Sequence, residues 1–571
     1  MIAKAFIYLL ALVLSGALAQ SLTVLDREGR AATALTDGDL VTLRAELKEP
    51  AGESAALRFV LEPDLEVANC RVPRGEVACR SKPLHALGWY WSAAGPQPER
   101  VLSVVAAGAE VATRRLEVRP RPVVLVHGFN SSAATWRAYV GADGFLAPLG
   151  LSGFAVGDLP GAGLINLGSL SRPREPTLTL AENAEILGGY IDSLKRITGA
   201  QMVDVVAHSM GGLVTRIYID QVMEARDVAQ LIMLGTPNGG SACARLPASL
   251  GSAVPASLEL RPSYVRDTFN PQVTERRGVP FATLAGTPIS DAFRSPCTDT
   301  PTDLLVSRSS AGGIGQVTEM DVVHTDMTAS EEVFTTFVAP NLMRPPGRFE
   351  PRPGEFVPLP EAEPAQVTRT FSGALAPGET RELTVHLDAV LVASFALYDP
   401  TLSLETTVRG ASGQVLDLET DADGLIELDD PDALFQLGYG FDNPKPGAWR
   451  VSLRALETAP SSGAPFALSA QVVGGAQLEV SLSNPLPAVG ERVTLSASFG
   501  DEALEVETVR ALVRPARGEV QRFDLEPVGG VHAVSWQPER RGLYGIDIVA
   551  RAETDEGLVV ERTVSLSVEV R

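Results

Sequence analysis

The stretch VVAHSMGGLV, residues 205–214, places a single serine, Ser209, inside a run of small and apolar residues. The segment that leads into it, VDVVA at 203–207, is typical of a buried strand, and GLVTRIYIDQVM at 212–223 is typical of a helix. A strand that passes straight into a helix at Ser209 predicts a strained, tight turn that raises the hydroxyl above the sheet edge. The helix N-terminus beneath that hydroxyl favours developing negative charge.

Other segments around this turn alternate between strand and helix patterns. The buried strands are predicted at VVLVHG (123–128), VDVVA (203–207), QLIML (230–234) and PFATLAG (280–286). A helix is predicted over 179–198, where Thr179 and Glu182 have the spacing of a capping box. Such alternation predicts a mostly parallel sheet with helices on both faces.

The rest of the chain divides into segments of distinct composition. We expect a multidomain protein with this order: an export signal at 1–19, an immunoglobulin-like β-sandwich at 20–118, the α/β domain at 119–343, a proline-rich linker at 344–365, a β-sandwich at 366–473 and an immunoglobulin-like β-sandwich at 476–571. The apolar run of the signal is too short to span a bilayer, and no later stretch is long enough. We therefore expect a secreted protein without a transmembrane anchor.

Charge and cysteine content narrow the function further. The 571 residues carry a net charge of −22, which argues against nucleic acid and anionic membrane surfaces as partners. An even number of cysteines in an exported chain favours disulfides, and the spacing suggests Cys70–Cys79 and Cys243–Cys297. Zinc is the alternative, but no Cys-x-x-Cys or nearby histidine pair supports it. No motif requires a metal ion or an organic cofactor.

A serine hydroxyl needs a base to become a nucleophile near neutral pH. Three of the six histidines lie in the predicted β-modules, His208 is adjacent to Ser209 and is expected to point elsewhere, and His127 precedes the loop after the first strand. This leaves His324, in DVVHTDM after the last sheet elements, as the candidate base. A solvated loop histidine is the alternative interpretation of His324.

The base in turn needs an orienting carboxylate, which is expected between Ser209 and His324 after the PFATLAG strand. Asp303 fits best because it trails that strand by a loop and precedes a short apolar run. Asp299 is the competitor, and Asp291 is a weaker one.

An acyl oxygen would also need hydrogen-bond donors, and VHGFNSS at 126–132 ends the first strand with Gly128 and Phe129. The backbone amides of Phe129 and Met210 could both face such an oxygen, and each donor of this kind lowers the barrier by roughly 3 to 4 kcal/mol. A plain turn at the end of a strand is the alternative for His127-Gly128.

Together, VHGF, AHSMGG, LGTPNGG (234–240), the Asp303 loop and His324 resemble the α/β-hydrolase lipases and esterases of the bacterial triacylglycerol-lipase type. The resemblance covers residues 122–343 only. It implies Ser209 as nucleophile, His324 as base, Asp303 as orienting acid, and the amides of Phe129 and Met210 as oxyanion donors. The family often has glycine after the acid, whereas Leu304 stands here.

These residues predict a secreted lipase or carboxylesterase that acts on lipid or other ester substrates. Transfer of the acyl group to another acceptor, cleavage of a polyester, and an adhesive protein with a vestigial hydrolase domain are the alternatives. The segment 241–279 could form an acyl-binding wall, a mobile lid or a surface helix. Trp136 could cover the entry to the site or belong to the core. The tryptophans of the β-modules, Trp89, Trp91, Trp449 and Trp536, could be core residues or platforms for a polymer or a cell surface.

Overall fold

The computed structural model describes residues 19–92, 94–169, 175–250, 254–297, 299–350, 366–430, 433–500 and 504–571. The predicted export signal, apart from Ala19, and residues 351–365 of the predicted linker lie outside the described residues. Among the described residues, no helix is both long enough and apolar enough to cross a bilayer.

The N-terminal region is a pair of mostly antiparallel sheets. Its strands are β1 (Ala19–Leu25), β2 (Ala34–Thr36), β3 (Leu40–Leu47), β4 (Ala55–Leu61), β5 (Leu65–Val72), β6 (Ala78–Arg80), β7 (Leu84–His85), β8 (Trp91–Ser92), β9 (Gly95–Pro96), β10 (Glu99–Ala106) and β11 (Ala109–Arg119). One sheet has the order β1-β3-β6, with β7 also paired to β3, the other has the order β2-β11-β10-β4-β5, and β8 and β9 form a short hairpin. The predicted Cys70–Cys79 disulfide is present and joins β5 of one sheet to β6 of the other.

This N-terminal unit shares a continuous hydrophobic core with the central sheet that follows it. Arg121 lies at the junction and is buried between two carboxylates, one from each side. Its guanidinium pairs with Asp37 of the N-terminal unit, and its Nε lies 3.1 Å from Oδ2 of Asp204 in the central sheet. A buried charge left without its partner is costly, so this ion cluster favours the docked arrangement.

The central sheet has six parallel strands in the order β13-β12-β14-β15-β16-β17. They are β12 (Val123–Val126), β13 (Gly153–Ala155), β14 (Val203–His208), β15 (Val228–Leu234), β16 (Phe281–Gly286) and β17 (Val317–Met320). The four predicted strands form its centre and are buried over most of their length. The two edge strands, β13 and β17, are short additions that the sequence patterns did not predict.

Two longer helices flank this sheet. Helix α1 (Leu180–Thr198) begins with the predicted capping box, in which the Thr179 and Glu182 side chains each accept a hydrogen bond from the other residue's backbone amide. Helix α2 (Met210–Ile217) begins directly after Ser209 and continues into a wider turn at Tyr218–Val222. The shorter helical segments of this region are Ala133–Trp136, Ala147–Leu149, Ala242–Ala244, Arg245–Ser249, Ala256–Glu259, Pro262–Tyr264, Val265–Phe269, Asn270–Gln272, Ala292–Arg294, Arg308–Ala311, His324–Thr328, Glu331–Val333, Phe334–Val338 and Ala339–Leu342.

The C-terminal region is formed of antiparallel sheets. Its strands are β18 (Gln366–Leu375), β19 (Thr380–Leu387), β20 (Val392–Tyr398), β21 (Leu404–Arg409), β22 (Val415–Leu416), β23 (Gly424–Glu427), β24 (Leu437–Asp442), β25 (Gly447–Ala455), β26 (Ala464–Val473), β27 (Leu478–Leu482), β28 (Val493–Phe499), β29 (Glu505–Pro515), β30 (Gln521–Asp524), β31 (Glu526–Val528), β32 (Val531–Trp536), β33 (Gly542–Glu553) and β34 (Val559–Val570), and a short helix spans Leu418–Asp421.

A nine-stranded sheet, β23-β24-β20-β26-β18-β34-β33-β29-β30, runs through both predicted C-terminal modules. It is continuous because β18 of the first module pairs with β34 of the second, with Val367 opposite Thr563. The smaller sheets β19-β25-β21-β22 and β27-β28-β32-β31 complete the two modules. Each module has its own hydrophobic core.

All five tryptophans lie in hydrophobic cores, three in the core shared by the N-terminal unit and the central sheet and one in each C-terminal module. Trp89, Trp91, Trp449 and Trp536 are buried within the β-modules, so none of them offers a flat exposed platform to a polymer or a cell surface. Trp136 is fully buried and packs edge-to-face against Tyr139, which makes it a core residue and not a cover over the site.

The outer face of the nine-stranded sheet packs on the central domain. Gly440 in β24 lies very close to that domain. A Cβ at this position would be only 2.6 Å from the carbonyl oxygen of Phe293. A Cβ at Gly424 in β23 would likewise lie 2.9 Å from Cβ of Phe293. Glycine within a strand often marks such a close approach.

The segment 241–279 lies between the central sheet and the nine-stranded sheet. The buried guanidinium of Arg245 donates to Oγ of Ser469 at 3.3 Å, and Nη1 of Arg261 donates to the Leu566 carbonyl at 3.0 Å. Both arginines are less than a tenth exposed. The parts of this segment around Arg245 and Arg261 therefore pack against the C-terminal sheet.

Glu259 of this segment is buried and binds the start of α1. Its two carboxylate oxygens accept the Leu180 amide at 3.0 and 3.1 Å. Burial raises the pKa of the Glu259 carboxyl from 4.5 to about 8, although the hydrogen bond from Leu180 opposes this shift. Folding therefore takes up a proton between about pH 4.5 and about pH 8.

We expect the free energy of unfolding to fall as the pH rises through this window, because the proton is bound in the folded state and released on unfolding. The contribution of Glu259 is complete below pH 4.5 and is lost as the pH passes about 8, with a slope of up to about 1.4 kcal/mol per pH unit. Glu259→Gln stays neutral and keeps an oxygen for the Leu180 amide, so its urea-unfolding free energy should change less with pH. The exposed Glu185→Gln is the matched control and should follow the wild type. Identical pH dependence in wild type and Glu259→Gln would contradict the assignment.

Candidate active site

Ser209 occupies a strained turn between β14 and α2. Its backbone angles, φ 53° and ψ −131°, lie in a region that residues with a side chain rarely adopt. The Ser209 amide donates to the Leu234 carbonyl of the neighbouring strand at 2.8 Å, which holds the turn against the sheet edge. The structure thus places this serine as the sequence pattern predicts, at the carboxyl end of a central strand.

Two glycines allow neighbouring backbone to approach this turn. A Cβ at Gly128 would lie 2.6 Å from Cβ and 3.2 Å from Oγ of Ser209. A Cβ at Gly211 would lie 2.5 Å from the His127 carbonyl oxygen. Any larger residue at either position would collide with the loop after β12 or with the serine itself. The small-residue pattern of the sequence is therefore a packing requirement of the turn.

Asp303 and His324 meet on two adjacent loops. The Asp303 carboxylate oxygen Oδ2 lies 2.7 Å from Nδ1 of His324, and both side chains are buried. The other oxygen, Oδ1, accepts the amides of Leu305 at 3.0 Å and Val306 at 2.7 Å. The His324 amide also donates to the Asp303 carbonyl at 3.1 Å. These bonds fix the carboxylate and set the imidazole with Nδ1 toward it, which leaves Nε2 free to accept a proton.

Gly235 links this pair to Ser209. It follows Leu234, whose carbonyl accepts the Ser209 amide, and its φ of 56° turns the chain at the end of β15. A Cβ at Gly235 would lie 3.0 Å from Nδ1 of His324 and 3.1 Å from Oδ2 of Asp303. Asp303 and His324 therefore lie beside the residue that follows the acceptor of the Ser209 amide, at the carboxyl end of β15.

The two competing carboxylates are engaged elsewhere. Asp299 is exposed, and its Oδ2 accepts the Ser309 hydroxyl at 2.6 Å. Asp291 pairs with Arg294 at 2.6 Å. Asp303, in contrast, lies 2.7 Å from Nδ1 of His324.

His208 has a contact with His324 that the sequence did not predict. Its Nε2 lies 3.0 Å from the His324 carbonyl, and the two rings are 4.7 Å apart. Because a carbonyl only accepts, Nε2 of His208 carries the proton, and Nδ1 has no partner in the part of the chain that the structure describes. Burial lowers the pKa of His208 to about 3 and that of His127 to about 4, so both stay neutral near pH 7.

The predicted oxyanion donors flank the serine. Met210 is the first residue of α2, so its amide belongs to the helix end whose donors have no acceptor within the helix. Phe129 directly follows Gly128, whose backbone abuts Ser209. These positions suit both amides for an oxygen bound beside Oγ.

Leu304 stands where the resembled family often has glycine, and it adopts a backbone conformation that favours glycine. Its φ of 87° is strained for a residue with a side chain, and this bend lets the Asp303 carboxylate reach the two amides that follow. The Leu304 side chain is buried in an apolar cluster together with the second predicted disulfide, Cys243–Cys297. The disulfide ties the segment after β15 to the loop that carries the acid.

Within the described ranges, no group of three or more His, Cys, Asp or Glu side chains is placed to hold a metal ion. The groups predicted to carry the chemistry at this sheet edge are Ser209, His324, Asp303 and the two amides. Their arrangement suits nucleophilic attack with proton transfer.

Comparison with known proteins agrees with this architecture. Residues 123–309 match the alpha/beta hydrolase family. A lipase of Bacillus licheniformis in its propeptide form is similar over 79% of this chain and 94% of its own, with 16% identity and a TM-score of 0.51. The predicted fold class, a central α/β-hydrolase domain with additional β-modules, is confirmed.

Two further structures each match 39% of the chain. The mature form of the same Bacillus licheniformis lipase is 20% identical over 39% of this chain and 91% of its own, with a TM-score of 0.30. An esterase of Thermogutta terrifontis with malate bound is 16% identical over 39% of this chain and 90% of its own, with a TM-score of 0.26.

Proposed function

We propose that the protein hydrolyses carboxylic esters through an acyl-enzyme on Ser209, as a lipase or carboxylesterase. The observation that carries the proposal is the 2.7 Å contact between Asp303 and His324 beside a serine on a strained strand-to-helix turn. The similar Bacillus licheniformis protein is described as a lipase, which agrees with this reaction class.

In this mechanism Oγ of Ser209 attacks the ester carbonyl while Nε2 of His324 takes its proton. Asp303 holds the imidazole in the required tautomer and stabilises it when charged. The amides of Phe129 and Met210 donate to the developing oxyanion, and His324 then protonates the leaving alcohol. Water, activated by the same imidazole, releases the acid and restores Ser209.

The direct test is turnover of p-nitrophenyl esters with increasing acyl length, together with labelling by a fluorophosphonate. We expect release of p-nitrophenol and a single label, located by mass spectrometry on the peptide that contains Ser209. Transfer to added alcohols in place of water would favour an acyltransferase. If the protein shows no turnover and no labelling, the proposal is contradicted and the adhesive alternative is favoured.

We also propose that the protein acts outside the cytoplasm. Two disulfides are present, and disulfides persist mainly in oxidising compartments. The predicted export signal agrees with this location.

A further inference from the structure

An apolar cluster joins the first C-terminal module to the loops of the candidate site. We call it the module–site cluster. Its buried members are Cys243, Leu246, Ile289, Cys297 and Leu304 from the central domain, and Ala396, Tyr398, Leu434, Phe435 and Ala467 from the module. The cluster is a shared core between two units that are distant in sequence, so the module and the acid loop pack as one body.

The module faces the site through alternate residues of its strands. In β20, Phe395 and Leu397 point into the core of the module, whereas Ala396 and Tyr398 belong to the module–site cluster. In β23, Leu425 packs against the module core and Ile426 packs against the cluster. Because side chains alternate along a strand, the orientation of Ile426 is fixed by the sheet.

Partly buried apolar side chains form a rim on this cluster. They are Phe129, Leu250, Leu305, Val323, Ile426 and Leu428. Three of them belong to the loops of the proposed machinery. Phe129 carries an oxyanion amide, Val323 precedes His324, and Leu305 donates its amide to Asp303. Phe129, Val323 and Leu305 of these loops therefore pack against the same apolar cluster as Ile426 and Leu428 of the module.

We propose that Ile426 and Leu428 of the C-terminal module line the surface that receives the acyl chain of the ester substrate. This inference rests on the proposed function and adds a substrate class, esters of medium and long aliphatic acids. The carbonyl oxygen held by the Phe129 amide belongs to the acyl group, and the Phe129 side chain lies on the rim. A chain that extends from that carbonyl along the rim is removed from water, which favours longer acyl groups.

The test compares two double variants that carry related chemical changes. Ile426→Thr/Leu428→Gln makes the module side of the rim polar and keeps a β-branched residue in β23. Val415→Thr/Leu391→Gln makes similar changes at side chains of the same module that are 54% and 55% exposed. Thermal melts of all three proteins check that the module remains folded.

We expect kcat/KM for p-nitrophenyl decanoate, relative to the acetate, to fall about tenfold in Ile426→Thr/Leu428→Gln, with the acetate value nearly unchanged. The control double variant should keep the wild-type ratio. A second series, acetates of alcohols of increasing length, should be unaffected in all three proteins.

The outcomes separate the two proposals. Absence of ester turnover by the wild type at every chain length would contradict the proposed function itself. An active wild type whose chain-length ratio is unchanged in Ile426→Thr/Leu428→Gln would overturn the inference. An equal fall in kcat/KM for all esters, or a fall confined to the alcohol series, would also overturn the inference. Either result would mean that this surface does not bind the acyl chain.

Discussion

Replacing Ser209 by alanine is expected to lower kcat for ester hydrolysis by on the order of 10⁴-fold or more. The substitution removes the one hydroxyl that lies on the strained turn, while the amides of Phe129 and Met210 remain. Those amides alone can still polarise a bound carbonyl, so a small residual rate above the uncatalysed reaction is compatible with the mechanism. The measurement is the steady-state rate with a p-nitrophenyl ester under saturating conditions.

The alanine variant should fold like the wild type because Ser209 Oγ makes no cap for helix α2. A thermal melt therefore separates loss of chemistry from loss of fold. Ser193→Ala is a control serine outside the proposed machinery, since its hydroxyl donates to the Gly189 carbonyl within helix α1 at 2.9 Å. Wild-type turnover by a clean preparation of Ser209→Ala would rule out Ser209 as the nucleophile.

Much of the central fold follows from local sequence patterns. The capping box before α1, the buried run before Ser209 and the strand at Phe281–Gly286 were all predicted, because each depends on residues close in the chain. The edge strands β13 and β17 were missed. Each has only three or four residues, too few for a hydrophobic period to be recognised.

The candidate site was accessible from the sequence for a similar reason. The serine turn and the order of serine, acid and histidine are recognisable as motifs, whereas contacts across the fold are not. His208 shows the limit, because its ring reaches the His324 backbone 116 positions away in sequence. One indication of that contact was present in the sequence. It was a histidine beside Ser209 at the end of a buried run, in a chain with only six histidines.

The association of the modules was the least predictable feature. Taken alone, Gly424 and Gly440 suggest weak strands. Their role in packing is apparent only in the structure, where both lie close to Phe293. Leu304 is a related case. Glycine would relieve its positive φ, but leucine also fills the module–site cluster, so one residue connects the acid loop to the C-terminal module.

Asp303→Asn is expected to lower kcat roughly 10²- to 10⁴-fold with little change in fold. In the wild type, Oδ1 accepts the Leu305 and Val306 amides, so an asparagine should keep its oxygen there and turn its amino group toward His324. That group donates to Nδ1 and forces the proton onto Nε2. An imidazole in this tautomer cannot take the proton of Ser209, and its charged form loses the stabilising carboxylate.

The matched control is Asp299→Asn, which should lose less than about tenfold in kcat. Asp299 is exposed and accepts the Ser309 hydroxyl, whereas Asp303 is the carboxylate that contacts Nδ1 of His324. Both variants should be compared at the same pH, with thermal melts to confirm folding. If Asp299→Asn were the crippled enzyme and Asp303→Asn remained active, the orienting acid would move to Asp299 while Ser209 and His324 kept their roles, because the 2.7 Å contact with Asp303 would then contribute to the structure of the loop and not to proton transfer.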